Sequence, residues 1–382
     1  MVLGIDCSVS PSGGGRRHIT ELLSNYHLTK RYFTKIKIYG GRKFLDSIPN
    51  YPWLDKISHN YLDKNIIFKT IWRHFIRDKS FYNNFDILFS PFGTYTGKIK
   101  PFVSMSRNML IFDKLERNRF RFSLMWFKLI ILFFVQKKSL KKSDGIIFIS
   151  QYAKNTISNT INIKNIYSII INHGVSNNFN LKKRIQYPIN RYSSINPYKL
   201  LFVSSIWVYK HPMKLLNAVE ILINKGYPIE LNIVGDNAQK NVGSLLQKEL
   251  ILFNKKYGEV VYWHKSVGLD EVRSFYHTSD MFVFTSTCEN MPNILIEAMA
   301  SGLPICSSKY QPMPEFLADG GLYFDPLDSS DISNKIEELL LNTELRKILS
   351  KKSYFLSTKY SWKKCSIETF KFLSLIVNQS HV

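Results

Sequence analysis

Two carboxylates separated by seven residues, Glu289 and Glu297, stand in a stretch that reads CENMPNILIEAMASGLP from Cys288 to Pro304. Pro292 and Asn293 suit a first helical turn, Ile294 to Ala300 includes strong helix formers, and Gly302 with Pro304 just beyond stops the helix. The unpaired N–H groups of a first turn favour an anion such as a diphosphate. A carboxylate just ahead of that turn can accept hydrogen bonds from sugar hydroxyls. One about a turn inside leans back toward the helix start and can reach a ribose.

The elements that must hold these acids are legible on both sides. Asp280 to Ser286 is an apolar run of the kind that forms a buried parallel strand, and Leu303 to Ser307 is another. Strand, loop, helix and strand make a βαβ unit whose helix starts at the carboxyl end of a strand, where open α/β sheets bind ligands.

The whole string in this setting resembles the retaining nucleotide-sugar glycosyltransferases of family 4, whose hallmark is Glu, seven residues, Glu. The resemblance implies that Glu289 contacts the donor sugar and Glu297 the ribose. It also implies backbone donors at Asn290, Met291 and Asn293, while Pro292, which has no N–H, contributes its place in the turn. The family further carries a lysine that meets the donor diphosphate in the loop after the first strand of its second half. Tyr209-Lys210-His211-Pro212 follows the strand-like Lys199 to Ser204 and precedes a helix expected from Met213 to Asn224, so Lys210 takes that role. The arginine that usually partners it is absent, with Ser204 or Ser205 near its place.

Nearer the start, Val2 to Cys7 reads as a first strand, followed by Ser10-Pro11-Ser12-Gly13-Gly14-Gly15 and an amphipathic helix from about Arg16 to Asn25. Glycines let the backbone approach a phosphate closely, although this is neither Gly-x-Gly-x-x-Gly nor a Walker loop. By resemblance Gly13, Gly14 and Gly15 face donor and acceptor. After the short strands Asp86 to Ser90 and Pro101 to Ser106 comes Arg107-Asn108, where many family members carry a histidine and an aspartate. Arg107 is therefore a candidate to stabilise a phosphate or an acceptor charge. Asp144 to Ser150 and Tyr167 to Val175 read as later strands, and His173 as structural. Val260 to Lys265 reads as a strand near the family's base pocket, with His264 at its end.

Composition frames these motifs. The chain has 382 residues, 45% hydrophobic, enough for two domains with substantial cores. Lys and Arg number 52 against 29 Asp and Glu, a formal charge of +23 that attracts polyanions: nucleic acid, anionic lipid or a phosphate-bearing substrate. No nucleic-acid-binding module is recognisable, so nucleic acid is not the expected partner. Cys7, Cys288, Cys306 and Cys365 are scattered, which indicates neither a zinc site nor a disulfide framework and fits a reduced cytosol. Residues 1 to 15 lack the basic start and apolar core of a secretory signal.

Phe122 to Val135, FSLMWFKLIILFFV, is the strongest apolar block. It is too short to span a bilayer. Arg117, Arg119 and Arg121 precede it, and Lys137, Lys138, Lys141 and Lys142 follow. A helix lying on an anionic membrane face and a buried helix with solvated ends both fit this pattern.

These readings converge on an α/β protein of GT-B type, two Rossmann-like domains facing across a cleft. The polar stretch Ser176 to Tyr198 is the linker. The expected limits are 1–185 for an acceptor domain and 186–360 for a donor domain. Residues 361–382 would form a helix returning to the first. The expected reaction moves a sugar from a nucleoside diphosphate sugar to a saccharide or lipid-linked saccharide, in surface polysaccharide assembly on the cytoplasmic side, with possible peripheral contact at the membrane's inner face. Glu289, Lys210 and Arg107 are the expected catalytic residues. No Asp-x-Asp pair occurs, so no metal or other cofactor is expected. A nucleotide-sugar epimerase of the same architecture and a basic nucleic-acid-binding protein are the alternatives.

Overall fold

The chain divides into two compact units, Met1–Gly174 with Ser361–Val382, and Val175–Tyr360. The computed structural model describes all residues except 10–12, 29–31, 82–83, 182–183 and 381–382. Ser10, Pro11 and Ser12 of the glycine-rich stretch therefore lie outside the described residues.

The first unit holds seven strands: β1 (Val2–Cys7), β2 (Lys35–Gly40), β3 (Leu54–Ile57), β4 (Ile87–Ser90), β5 (Phe102–Ser106), β6 (Gly145–Phe148) and β7 (Tyr167–Ile170). All pair in parallel in the order β3-β2-β1-β4-β5-β6-β7. The second holds β8 (Tyr198–Val203), β9 (Ile229–Val234), β10 (Val261–His264), β11 (Met281–Phe284), β12 (Ile305–Ser308) and β13 (Leu322–Phe324). These also run parallel, ordered β10-β9-β8-β11-β12-β13. Strand order reverses between β1 and β4 in one sheet and between β8 and β11 in the other. Each is a topological switch point, the crevice where such sheets take ligands.

Burial explains the strands. Every residue of β4, β5, β6, β11 and β12 is buried, as expected for strands covered on both faces. In the second unit Leu200, Phe202, Leu231, Ile233 and Val283 pack with Leu215 and Val219 of the helix Pro212–Asn224 and with Ile332 and Ile336 of the helix Ser329–Leu341. The first unit is completed by the helix Trp362–Ser380. There Ser366 Oγ donates to the Leu22 carbonyl (3.1 Å), and the Phe370 ring lies 5.4 Å from Tyr26 and 6.2 Å from Phe33.

Two expectations need correction, and a third, left open between two readings, gains a description. Residues from 176 on form no free linker. Val175 N–H donates to the Tyr360 carbonyl and Leu181 N–H to the Ala300 carbonyl. Arg184 donates to the carbonyls of Tyr276, Ser279 and Ser301. These bonds bind the segment into the second unit, whose boundary falls at Gly174/Val175 instead of 185/186. Gly14 and Gly15 are not loop residues but open the helix Gly14–Ser24, because Gly13 turns the chain at φ 48°, ψ −127°, a conformation open to glycine. Finally, the apolar block is only partly buried. From Leu124 on it lies in the helix Leu124–Lys142, whose buried side chains are Leu129, Gln136, Ser139 and Leu140. Among the described residues no helix is long and apolar enough to cross a membrane.

Candidate active site

β8 and β11 end side by side, Met281 opposite Leu200 and Phe282 opposite Leu201, so the loops that leave them start as neighbours. The loop after β8 runs through a short turn, Val208–Lys210, into the helix Pro212–Asn224, with proline at its first position. His211 joins turn to helix in the left-handed region, φ 49°, ψ 44°. A non-glycine residue there stores strain and needs neighbours to hold it.

Those neighbours come from the β11 loop. Thr285 Oγ1 donates to the Lys210 carbonyl (2.6 Å), and Thr287 N–H donates to the Tyr209 carbonyl (3.0 Å). Thr287 Oγ1 donates to the same carbonyl (3.2 Å) and lies 3.1 Å from His211 Nε2. A hydroxyl has one proton to give. With it on the Tyr209 carbonyl, His211 must donate through Nε2, which fixes its tautomer. Three successive residues are thereby stitched to one loop.

The stitching aims Lys210 at Glu289. Lys210 Nζ and Glu289 Oε1 form an ion pair, with side-chain exposures of only 9% and 16%. The rings of Tyr209 and Phe284 stand 5.3 and 5.6 Å from the ammonium. Removing one member of a pair this well buried strands the other charge, at a cost of about 3–5 kcal/mol. Glu289 is thus already engaged, by the very lysine that the sequence assigns to the diphosphate.

The helix Asn293–Ala300 begins just beyond, with Pro292 at its N-cap and no side-chain cap bond. Asn290, Met291 and Pro292 are buried and Asn293 half-buried. Glu297 is buried inside the helix, with Oε2 3.3 Å from the Tyr276 hydroxyl, which also lies 3.0 Å from the Ile294 carbonyl. Tyr276 comes from the helix Leu269–Thr278 and sets its hydroxyl beside the Glu297 carboxylate. Gly235, after β9, has φ 142°, and a Cβ there would overlap the Ser204 carbonyl. Only glycine fits against the loop that leads to Lys210. His264 ends β10 with Nε2 2.8 Å from Asn232 Oδ1, and burial lowers its pKa.

The first unit gathers the remaining expected residues. Arg107, in the loop after β5, donates to the Gly14 carbonyl (2.8 Å), reaches within 3.4 Å of His18 Nδ1, and lies 5.7 Å over the Phe92 ring. Burial pushes its guanidinium down to about 10, still charged at neutral pH. Gly13 has open space where a Cβ would stand. Beneath them His18, His173 and Trp362 form a buried stack, with centroids 4.7 Å apart for the two imidazoles and 5.3 Å for His173 and Trp362. Burial, then His173 and Arg107, hold the His18 pKa well below its ordinary value. His173 is structural in this setting, a part of the packing.

The expected residues therefore form two groups, Lys210, Glu289 and Glu297 with residues 290–293 in one unit, and Gly13 to Gly15 with Arg107 in the other. Sequence reasoning missed Thr285, Thr287, Tyr276 and the strained His211. A threonine pair flanking one residue after a strand was the available signal for the first two. Among the described residues no group of three or more His, Cys, Asp or Glu side chains is placed to hold a metal ion.

Paired parallel sheets of this order, each with its polar site at the switch point, define a GT-B fold. Anabaena HepE, solved in complex with UDP, superposes over 100% of both chains at a TM-score of 0.70 with 15% identity. Residues 190–354 match the family model described as Glycosyl transferases group 1. An uncharacterised glycosyltransferase of Methanocaldococcus jannaschii is 30% identical over 60% of this chain and 59% of its own length. The lipopolysaccharide 1,2-N-acetylglucosaminetransferase of Salmonella typhimurium is 30% identical over 43% of this chain and 44% of its own. The chain thus spans about half the length of these two curated relatives.

Proposed function

We propose that the protein is a retaining glycosyltransferase that moves a sugar, of hexose type, from a nucleoside diphosphate sugar to a saccharide or lipid-linked saccharide. It acts in assembly of a bacterial surface polysaccharide such as O-antigen, lipopolysaccharide or capsule. The observation that carries this reading is the buried Lys210–Glu289 pair at the β8/β11 switch point, beside the start of the helix Asn293–Ala300. The Salmonella relative's lipopolysaccharide activity supports the acceptor class, and the UDP held by HepE supports the donor class.

In the reaction the bond between the anomeric carbon and the diphosphate oxygen breaks, and a bond from that carbon to the acceptor oxygen forms. The acceptor proton passes to the leaving diphosphate. Charge grows on that leaving group, and preorganised positive groups stabilise it where it grows. Lys210 and the N-terminal peptide groups of the helices Pro212–Asn224 and Asn293–Ala300 supply them. Glu289, pulled partly from Lys210 as phosphate oxygens arrive, accepts from the donor sugar hydroxyls. Glu297, beside the Tyr276 hydroxyl, accepts from the ribose. Gly13 to Gly15 and Arg107 serve the acceptor or its charge. No metal is needed in this scheme, so activity should survive a chelator. Four free, buried cysteines fit action on the cytoplasmic side.

Incubation with UDP-, GDP- and ADP-sugars, with and without a bacterial lipid extract, tests the proposal. Sugar transfer that depends on the extract and drops at least about a hundredfold in Glu289→Gln supports it. Release of a free, altered sugar without acceptor would instead identify an epimerase. Turnover unchanged in both Glu289→Gln and Glu297→Gln would refute the site.

A further inference from the structure

One face of the helix Leu124–Lys142 is apolar and uncovered. Leu124, Phe127, Ile131 and Phe134 follow one another in steps of three and four, so they line a single stripe, and they are 91%, 53%, 63% and 60% exposed. Lys138 and Lys142 continue that stripe, and Lys128 flanks it. The buried residues, Leu129, Gln136, Ser139 and Leu140, lie on the opposite side. A helix that packs through one face and leaves a row of large apolar side chains on the other has an unmet partner.

The approach to the helix adds a second observation. Phe122, just before the N-cap Ser123, is 77% exposed and held at φ 63°. A bulky residue in the left-handed region is strained, and in the free protein this ring gains little burial in return. Arg121 lies 4.8 Å over the Phe122 ring, so the tip carries an aromatic and a cation together.

Charge selects the partner. From residue 114 to residue 142 there are nine Lys and Arg and one acid, Glu116, which is buried and paired with Arg119 at 2.6 Å. Lys114, Arg121, Lys128, Lys138, Lys141 and Lys142 are exposed and meet no acid of this segment. Apolar rings that can enter an acyl boundary, fringed by cations at headgroup level, match an anionic lipid surface. A basic fringe disfavours a second copy of this chain on the same patch, because like charges would face each other.

We infer that Phe122 and the outer face of the helix Leu124–Lys142 form a docking surface for an anionic membrane, lying in its interface rather than crossing it. The inference does not rest on the glycosyltransferase reading. Flotation with vesicles of phosphatidylcholine, alone or mixed with phosphatidylglycerol, tests it. Wild-type protein should float with the mixed vesicles and not with the neutral ones. Phe122→Ser, Phe127→Ser and Phe134→Ser combined should weaken partitioning by about tenfold or more. Arg121→Gln, Lys128→Gln and Lys138→Gln combined should weaken it and flatten its salt dependence. Brominated lipid should quench Trp126, which neighbours these rings, and the quenching should disappear in Trp126→Phe, a readout that does not rely on truncated variants. Wild-type protein that stays in solution with anionic vesicles at low salt would overturn the inference. So would an apolar triple variant that binds as well as wild type, since binding would then reflect overall charge. Lipid-free self-association abolished by that variant would show that a second copy covers the face.

Discussion

The two units share one topology but spend their switch points differently. Between β8 and β11, threonines of one loop fix the backbone of the other, so that a buried ion pair is set before any ligand arrives. Near β1 and β4 an ion pair is buried as well, Arg77 with Asp6 of β1 (3.3 Å), but the cation beside the glycine turn is Arg107, which is bonded to the Gly14 carbonyl above a histidine stack. Preorganised, paired charge suits a conserved chemical demand such as binding a nucleoside diphosphate. A cation held on a glycine turn by a backbone carbonyl suits a partner that differs from one enzyme to another.

Substitutions can break that contrast. The largest effect is expected for Lys210→Ala, a loss in kcat/KM of about a hundred- to a thousandfold, measured by initial rates with the preferred nucleotide sugar. Glu289→Gln keeps the shape and a hydrogen-bonding side chain, so its loss of rate should come with a smaller change in melting temperature than Glu289→Ala. Gly235→Ala forces a Cβ against the Ser204 carbonyl and should cost about 2–3 kcal/mol in urea unfolding, with a weakened donor affinity. Thr287→Val leaves the His211 Nε2–H without its acceptor in a buried site. The expected loss is about 1–3 kcal/mol, together with a raised donor KM. Arg107→Ala sharpens the comparison from the other side. It should raise the acceptor KM by about tenfold and leave donor affinity unchanged, read by calorimetry with the nucleotide.

The smallest effect is a pH dependence in the first unit. His18 is held neutral when folded, its pKa well below 6.5, whereas the unfolded chain titrates near 6.5. The unfolded state therefore binds more protons as pH falls through that range, and stability present above it is lost below it. Melting temperature should drop between neutral pH and about pH 5.5, and His18→Gln should flatten that drop.

How much of this could be read from residues alone depends on what each residue contributes. β11 and the helix Asn293–Ala300 were legible because Met281 to Phe284 and Ile294 to Ala300 carry pure patterns bounded by Gly302 and Pro304. By contrast, Lys240–Tyr257 went unread, since Gly243 interrupts its first turn and the continuous apolar run Leu250 to Phe253 blurs its helical period. β2 and β3 mix charged and apolar residues in runs too short to stand out. Lys210 and Glu289 were each foreseeable, but their pairing was not. It depends on a left-handed His211, and no periodicity encodes that conformation. The outer face of Leu124–Lys142 was hidden for a different reason: a segment apolar all round does not say which side its own protein covers.

Residues 362–380 belong to a unit whose other strands and helices lie before Val175. During translation, at about 5–20 residues per second, that early portion leaves the ribosome long before the helix that finishes its core. Phe33 and Tyr26 must wait for Phe370 while the intervening 175–360 segment, continuous in sequence, has all it needs to fold. A premature stop shortly before Trp362 would therefore release a chain whose second unit is finished and whose first unit lacks the helix that completes its core.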